Sequence, residues 1–235
     1  MKTNVRFIDI HNHVLPTVDD GSKSIEMSVE MIKKYIHDGV TDLILTPHNY
    51  NSVQTKSRAE QVMIFNQLQE EVKKLELTIN LHLGAEVMYR EHLKINYKDF
   101  TLANSNYMLI EFSQFNDASI VDVCYNLKTQ GFKPIIAHIE RYDYLTKKEY
   151  DILKKDGVLF QVNAKSVFKD RKEWHNKFKF LLKKAYIDFI ATDAHNMSNR
   201  APNLKDAYDH VKKIIDEDYL NKIFYDNARK IIEAA

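Results

Sequence analysis

Short β-rich runs alternate with amphipathic helical stretches along nearly the whole chain, and that alternation restricts the folds open to it. The runs cover residues 5–10, 41–45, 78–83, 107–110, 135–137, 158–162 and 186–191. Between them apolar residues recur at helical spacing, as at Ile25, Val29, Ile32 and Ile36, or Val62, Phe65, Leu68, Val72 and Leu75. Further helices are predicted near 118–130 and 147–156, through Trp174, Phe178, Leu181 and Leu182, and over 219–232. Ser22 or Ser24 can cap the first helix, Gly39 and Gly131 can stop two of them, and Pro202 can open another at its first position. Strands separated mostly by helices predict parallel pairing in right-handed βα units. Seven such runs approach the eight of the α/β barrel, whose active sites gather at the carboxyl ends of the strands. An open doubly wound sheet shares the alternation, but its ligands converge at one switch point. Here the chemistry-bearing residues follow nearly every run. The expectation is a closed or nearly closed barrel, one domain over 1–235.

The first run leads into Asp9-Ile10-His11-Asn12-His13, where extended alternation puts both histidines on one side. Later runs end in Thr46-Pro47-His48, Gly84-Ala85-Glu86, Glu111, His138-Ile139-Glu140-Arg141, Asn163 and Thr192-Asp193-Ala194-His195. His and Glu are poor helix caps, so capping does not account for them. Carboxylates gathered without cations raise one another's pKa, and divalent metals resolve the repulsion. The site therefore reads as multinuclear. Mixed N/O ligands without thiolate suit Mn, Fe or Zn, and two or three such metals suit phosphoester hydrolysis. Arg141 and Arg200 could reach the same mouth, where a planar guanidinium matches phosphate oxygens. His37, His82, His92, His175 and His210 read as structural or surface. His82 shares the parity of Glu86, which would make it a supporting group inside the barrel.

Composition excludes several classes. Lys plus Arg (34) nearly balance Asp plus Glu (33), so no polyanion such as nucleic acid and no membrane surface is indicated as a partner. No apolar run approaches the roughly 20 residues that span a bilayer. Met1-Lys2-Thr3-Asn4 leads straight into a strand without a signal segment, and a single cysteine excludes an internal disulfide framework. A cytoplasmic protein is expected, and an oligomer is compatible with the sequence. A thiol phosphatase needs Arg six residues after its Cys. Cys124 has Gln130 there, within a predicted helix. A Gly-x-x-x-x-Gly-Lys phosphate loop is also missing.

The residues from Asp9 to His13, Pro16 to Gly21 with its Asp19-Asp20-Gly21, Thr46-Pro47-His48, Gly84 to Glu86, Ile110-Glu111-Phe112, Ala137 to Arg141 and Thr192 to Asn196 together resemble the PHP (polymerase and histidinol phosphatase) superfamily. Within it they are most similar to the manganese-dependent bacterial tyrosine phosphatases of capsule and exopolysaccharide operons, the CpsB/YwqE type. The resemblance runs from about residue 7 to 200 and implies a distorted (β/α)7 barrel with three metals. It would give His11, His13, Glu86 and Asp193 one metal, and a bridging Glu86 with Glu111 and His138 the second. Asp20, chosen over its neighbour Asp19, would hold the third with His48 and His195. Arg141 and Arg200 match phosphate-binding arginines. The implied substrate is the phosphotyrosine-rich tail of a bacterial tyrosine kinase that controls polysaccharide assembly. In one departure, Asn49 stands where close relatives often carry a second histidine, and it could orient a water or phosphate. Two other readings compete: a phosphatase of a small phosphoester such as histidinol phosphate, and a non-catalytic metal-binding module that docks on a kinase.

Overall fold

Ser24, Ser57, Ser119 and Thr146 each accept a backbone N–H with the side chain and so start helices α1 (Ile25–His37), α2 (Arg58–Lys74), α3 (Ile120–Thr129) and α4 (Lys147–Lys155). Ser57 with Glu60, and Thr146 with Glu149, form reciprocal capping boxes. Gly39, at φ +91, ends the turn after α1, a conformation that a Cβ would disfavour. The computed structural model describes residues 5–91, 95–115, 118–169 and 171–235, which leaves His92 outside the described residues. The later helices are α5 (Lys172–Lys183), α6 (Leu204–Val211), α7 (Glu217–Asn221) and α8 (Asn227–Glu233). Pro202 does not open α6; the N-cap is Asn203, one residue beyond it. A π-helical turn, Lys222–Asp226, joins α7 to α8.

The strands among the described residues are β1 (Phe7–Asp9), β2 (Val40–Leu45), β3 (His48–Asn49), β4 (Asn80–Leu83), β5 (Glu86–Met88), β6 (Tyr107–Glu111), β7 (Lys133–Ile136), β8 (Leu159–Asn163) and β9 (Phe189–Ala191). All pair in parallel, in the orders β1-β2-β4 and β3-β5-β6-β7-β8-β9. Beyond the ends of two predicted runs the strand resumes after a break: β2 continues into β3 past Thr46-Pro47, and β4 into β5 past Gly84-Ala85. Backbone bonds from Gly84 to Leu45 (2.8 Å) and Glu86 to Pro47 (3.1 Å) carry the pairing across both breaks. The seven predicted runs thus survive as seven lines of strand. First and last lines meet only near their carboxyl ends, by a bridge between Asn12 and Ala194. Before that point the Asp9 carboxylate substitutes for a backbone partner, accepting from the Thr192 N–H (3.1 Å) and hydroxyl (2.5 Å) and from the Tyr35 hydroxyl (2.7 Å). The result is a curled, distorted α/β barrel, as the sequence predicted.

Alternation divides the strand side chains between two apolar cores. Ile8, Ile10, Ile44, Leu109, Ile135 and Phe189 fill the interior with Ile231 of α8. Phe7, Leu43, Leu45, Met108, Ile136, Phe160 and Val162 pack outward against Met31, Phe65, Leu127, Leu153 and Leu181 of the helices. Two residues of the predicted apolar face of α2 are not buried, Val62 and, at the helix end, Leu75, each 41% exposed. Gln61 is instead fully buried, because the Gln61 amide bonds the Asn49 side chain (3.2 Å) and Arg58 (3.2 Å).

Candidate metal centre

Above the interior core the strand ends converge. His11, His13, Asp20, His48, Glu86, Glu111, His138, Asp193 and His195 fall into four overlapping groups, each with ligand atoms within 4.8 Å of one another. Glu86, wholly buried, is the hub. Its Oε1 lies 2.9 Å from His138 Nε2 and 3.3 Å from His11 Nε2; its Oε2 lies 2.9 Å from His48 Nδ1 and 3.4 Å from His13 Nε2. Asp193 Oδ1 faces His11 and His13 Nε2 at 3.6 and 3.4 Å. Asp20 Oδ1 lies 3.4 Å from His195 Nε2 and 3.6 Å from His48 Nε2.

The supporting bonds decide which ring nitrogens face inward. Gln161 Oε1 accepts the backbone N–H of His138 (2.7 Å), a group that can only donate, so the atom there is oxygen. The same oxygen lies 2.9 Å from His11 Nδ1, which must therefore carry its proton and leave the Nε2 lone pair for the cluster. Asp19 fixes His13 in the same way, 2.8 Å from its Nδ1. Its remaining capacity goes to the N–H groups of Gly21 and His48, both at 2.9 Å. Asp19 is thus spent on support while Asp20 faces the cluster. A Cβ on Gly21 would lie 2.3 Å from the His13 carbonyl oxygen and 2.4 Å from its Cβ, so only glycine lets this turn close on His13.

Charge is unbalanced in this constellation. Burial works against ionisation of Glu86, yet His11 and His48 hold it well below the usual carboxylate range. Burial, then the neighbouring Glu86, pushes Glu111 up to about 7. Burial and the Arg141 charge press His138 down to about 4; burial and His13 do the same to His195. Burial opposes protonation of His11, His13 and His48 as well, but Glu86 lifts His11 and His48, and Asp19 lifts His13 well above, the usual histidine range. Protons are balancing charge that divalent cations would balance better. Buried atoms without a hydrogen-bond partner point the same way: His11, His13 and His195 Nε2, His48 Nδ1 and Glu86 Oε2 are all among them. The donor set fits hard-to-borderline divalent metals.

At the rim, Arg141 donates to Asp193 Oδ2 (2.7 Å) and Arg200 to Asp193 Oδ1 (2.9 Å). Both line a cavity of about 430 Å³ beside the cluster, shared with Asn163, Thr192 and Asp193. Two expectations are corrected. Asn49 is buried with its amide spent on Pro47 O (3.0 Å) and Gln61 (3.2 Å); Asn51 instead reaches the cluster, donating to Glu111 Oε2 at 3.0 Å. His82 does not join the cluster. Its ring nitrogen Nε2 instead lies 3.2 Å from the Asp42 carboxylate on the neighbouring β2, and it stays partly exposed. The sequence reading assigned no role to Gln161, Asn163 or Glu140. Asn163 donates to Asp193 (2.7 Å), and Glu140 Oε1 accepts from the Asn163 N–H (3.1 Å) and the Ser166 hydroxyl (2.7 Å).

The family model for capsular polysaccharide synthesis proteins CpsB/CapC matches residues 7–233. The chain belongs to the CpsB/CapC family. It is 33% identical over 238 aligned positions to the tyrosine-protein phosphatase CpsB of Streptococcus pneumoniae, covering 96% of this chain and 98% of that one. Crystal structures of YwqE from Bacillus subtilis and CpsB from Streptococcus pneumoniae, described as unique metal-dependent tyrosine phosphatases, superpose with a TM-score of 0.84 at 27% identity over 97% of this chain and 94% of theirs. An amidohydrolase from Mycoplasma synoviae, at 12% identity, shares the barrel alone, with a TM-score of 0.63. CpsB/CapC membership agrees with the family read from the strand-end motifs. No helix among the described residues is long and apolar enough to cross a membrane.

Proposed function

We infer that this CpsB/CapC member is a metal-dependent protein-tyrosine phosphatase whose single catalytic domain spans 1–235. The observation carrying the inference is the convergence of nine ligand-type side chains, several with orphaned buried atoms, beside two arginines in a chain related to phosphatases. His11, His13, Glu86 and Asp193 would hold one metal, Glu86, Glu111 and His138 a second, and Asp20, His48 and His195 a third. Manganese is the ion we propose, with Fe or Zn as substitutes. Bound there, such ions supply Lewis acidity and a water acidic enough to attack phosphorus near neutral pH.

The chain's own groups do the rest. Gln161 and Asp19 keep the His11 and His13 lone pairs aimed inward. Arg141 and Arg200, already converged on Asp193, turn their remaining N–H groups to the phosphoryl oxygens and stabilise charge as it builds there. We propose that this protein is cytoplasmic and that its substrate is the phosphotyrosine tail of a bacterial tyrosine kinase governing capsule or exopolysaccharide synthesis. Phosphate release from a phosphotyrosyl peptide by EDTA-stripped protein, before and after manganese, tests the reading. Release restored only by metal is expected. Turnover of histidinol phosphate but not of phosphopeptide would move the assignment to small phosphoesters. No release from metal-loaded, folded protein would leave a non-catalytic module.

A further inference from the structure

Beyond Arg141 the row of cations continues away from the cluster. The Arg141 guanidinium lies over the Trp174 ring, 5.1 Å from its centroid, and Arg171 lies over the same ring at 4.2 Å. These residues, with Lys165, Arg200 and Gln114, line a second cavity of about 410 Å³. Arg171 is the N-cap residue of α5 and Trp174 lies in its first turn; no side chain caps that start, so the positive end of the helix borders the same space. Arg171 is exposed, and among the described residues no carboxylate pairs with it.

The geometry points to an anion subsite, built on Arg171 and Trp174, for an acidic group flanking the scissile phosphotyrosine. The inference rests on the phosphopeptide reading above and adds a specificity determinant to it. Arg141 joins the two sites: one edge of its guanidinium bonds Asp193 while its face covers Trp174. Contacts of 2.7, 5.1 and 4.2 Å link Asp193 to Arg141, Arg141 to Trp174 and Trp174 to Arg171, which keeps Arg171 within a few residues of the phosphotyrosine along an extended peptide. Arginine stacked on an aromatic ring keeps its N–H fork available for a carboxylate or phosphoryl group. The peptide's backbone need not be read, because charge at this distance from the reacting phosphate suffices to select it.

The test compares three manganese-loaded proteins, wild type, Arg171→Gln and Arg171→Glu, on three sets of phosphotyrosyl peptides. One set has neutral flanks, one has Asp or Glu within three residues on either side, and one has a second phosphotyrosine there. The subsite predicts that wild type favours charged flanks through KM. It also predicts that the ratio of kcat/KM, charged over neutral, falls about tenfold in Arg171→Glu, with Arg171→Gln between. The carboxylate and phosphoryl sets show which anion it prefers. Cleavage indifferent to flanking charge, or a loss in the variants that is equal for all peptides, would overturn the subsite alone. Hydrolysis of 4-nitrophenyl phosphate without cleavage of any peptide would instead overturn the phosphopeptide reading, and the subsite with it.

Discussion

His138 and Asp193 share a backbone oddity: both take positive φ, +33 and +53, at the ends of β7 and β9. Left-handed conformations in non-glycine residues cost of order 1–3 kcal/mol and persist where surroundings over-determine them. Here the surroundings are the bonds that aim the ligands, so small changes next to them should be felt as lost metal. Gly21→Ala places a methyl inside the space of His13, and we expect metal affinity to fall by at least about tenfold with the fold retained, read by metal analysis and circular dichroism. Gln161→Leu removes the acceptor of both the His11 ring and the His138 N–H. Competition with a chromogenic chelator should show about 10–100-fold weaker binding. Arg141→Ala should behave differently, lowering kcat by about 10²–10³ while bound metal is unchanged. If metal and turnover fell together, Arg141 would be structural.

Among elements, β8 explains what the sequence reading reached and what it did not. Run 158–162 was legible as a strand from its apolar residues. Within it, Gln161 and Asn163 alternate with Phe160 and Val162, so polar groups point inward on a strand whose two faces should both be apolar. That contradiction was the available signal for the groups that aim His11 and Asp193. Ligand-bearing strand ends were easier, because His and Glu just past an apolar run have few local explanations. Asn49 misled because it follows His48 within the short strand β3, where alternation turns its amide toward α2 rather than the mouth. Trp174 read as part of an apolar helix face; only the placement of the short helical turns Ile139–Arg141 and Ala164–Val167 with α5 around the cavity shows that it lines one. Helix caps are separable from all this chemistry. Thr146→Ala should cost about 1 kcal/mol, seen as a lower urea midpoint, with kcat unchanged.

For the molecule as a whole, metal and protons compete for one buried site. Without metal, His11, His13 and His48 hold protons more tightly than free histidine, and Glu111 titrates at about 7. Ligation requires all of them deprotonated, so metal uptake at pH 7 must release protons and apparent affinity must fall as pH drops from 8 to 6. Calorimetry in buffers of different ionisation enthalpy would count those protons. Affinity independent of pH over that range would exclude this ligand set. Chelation should also lower the melting temperature, since bound metal stabilises only the folded chain.

The junction of first and last strands carries a consequence for how the protein is made. Asp9 and Thr192, whose side chains meet there, are 183 positions apart. A nascent chain that has emerged only as far as α5 owns most of the histidines but lacks Asp193, His195 and the strand that closes the ring. Contacts of such long sequence separation form late and slowly. The complete centre therefore cannot assemble until β9 and the residues just after it have left the ribosome, and chains stalled before β9 would lack the ligands that Asp193 and His195 supply.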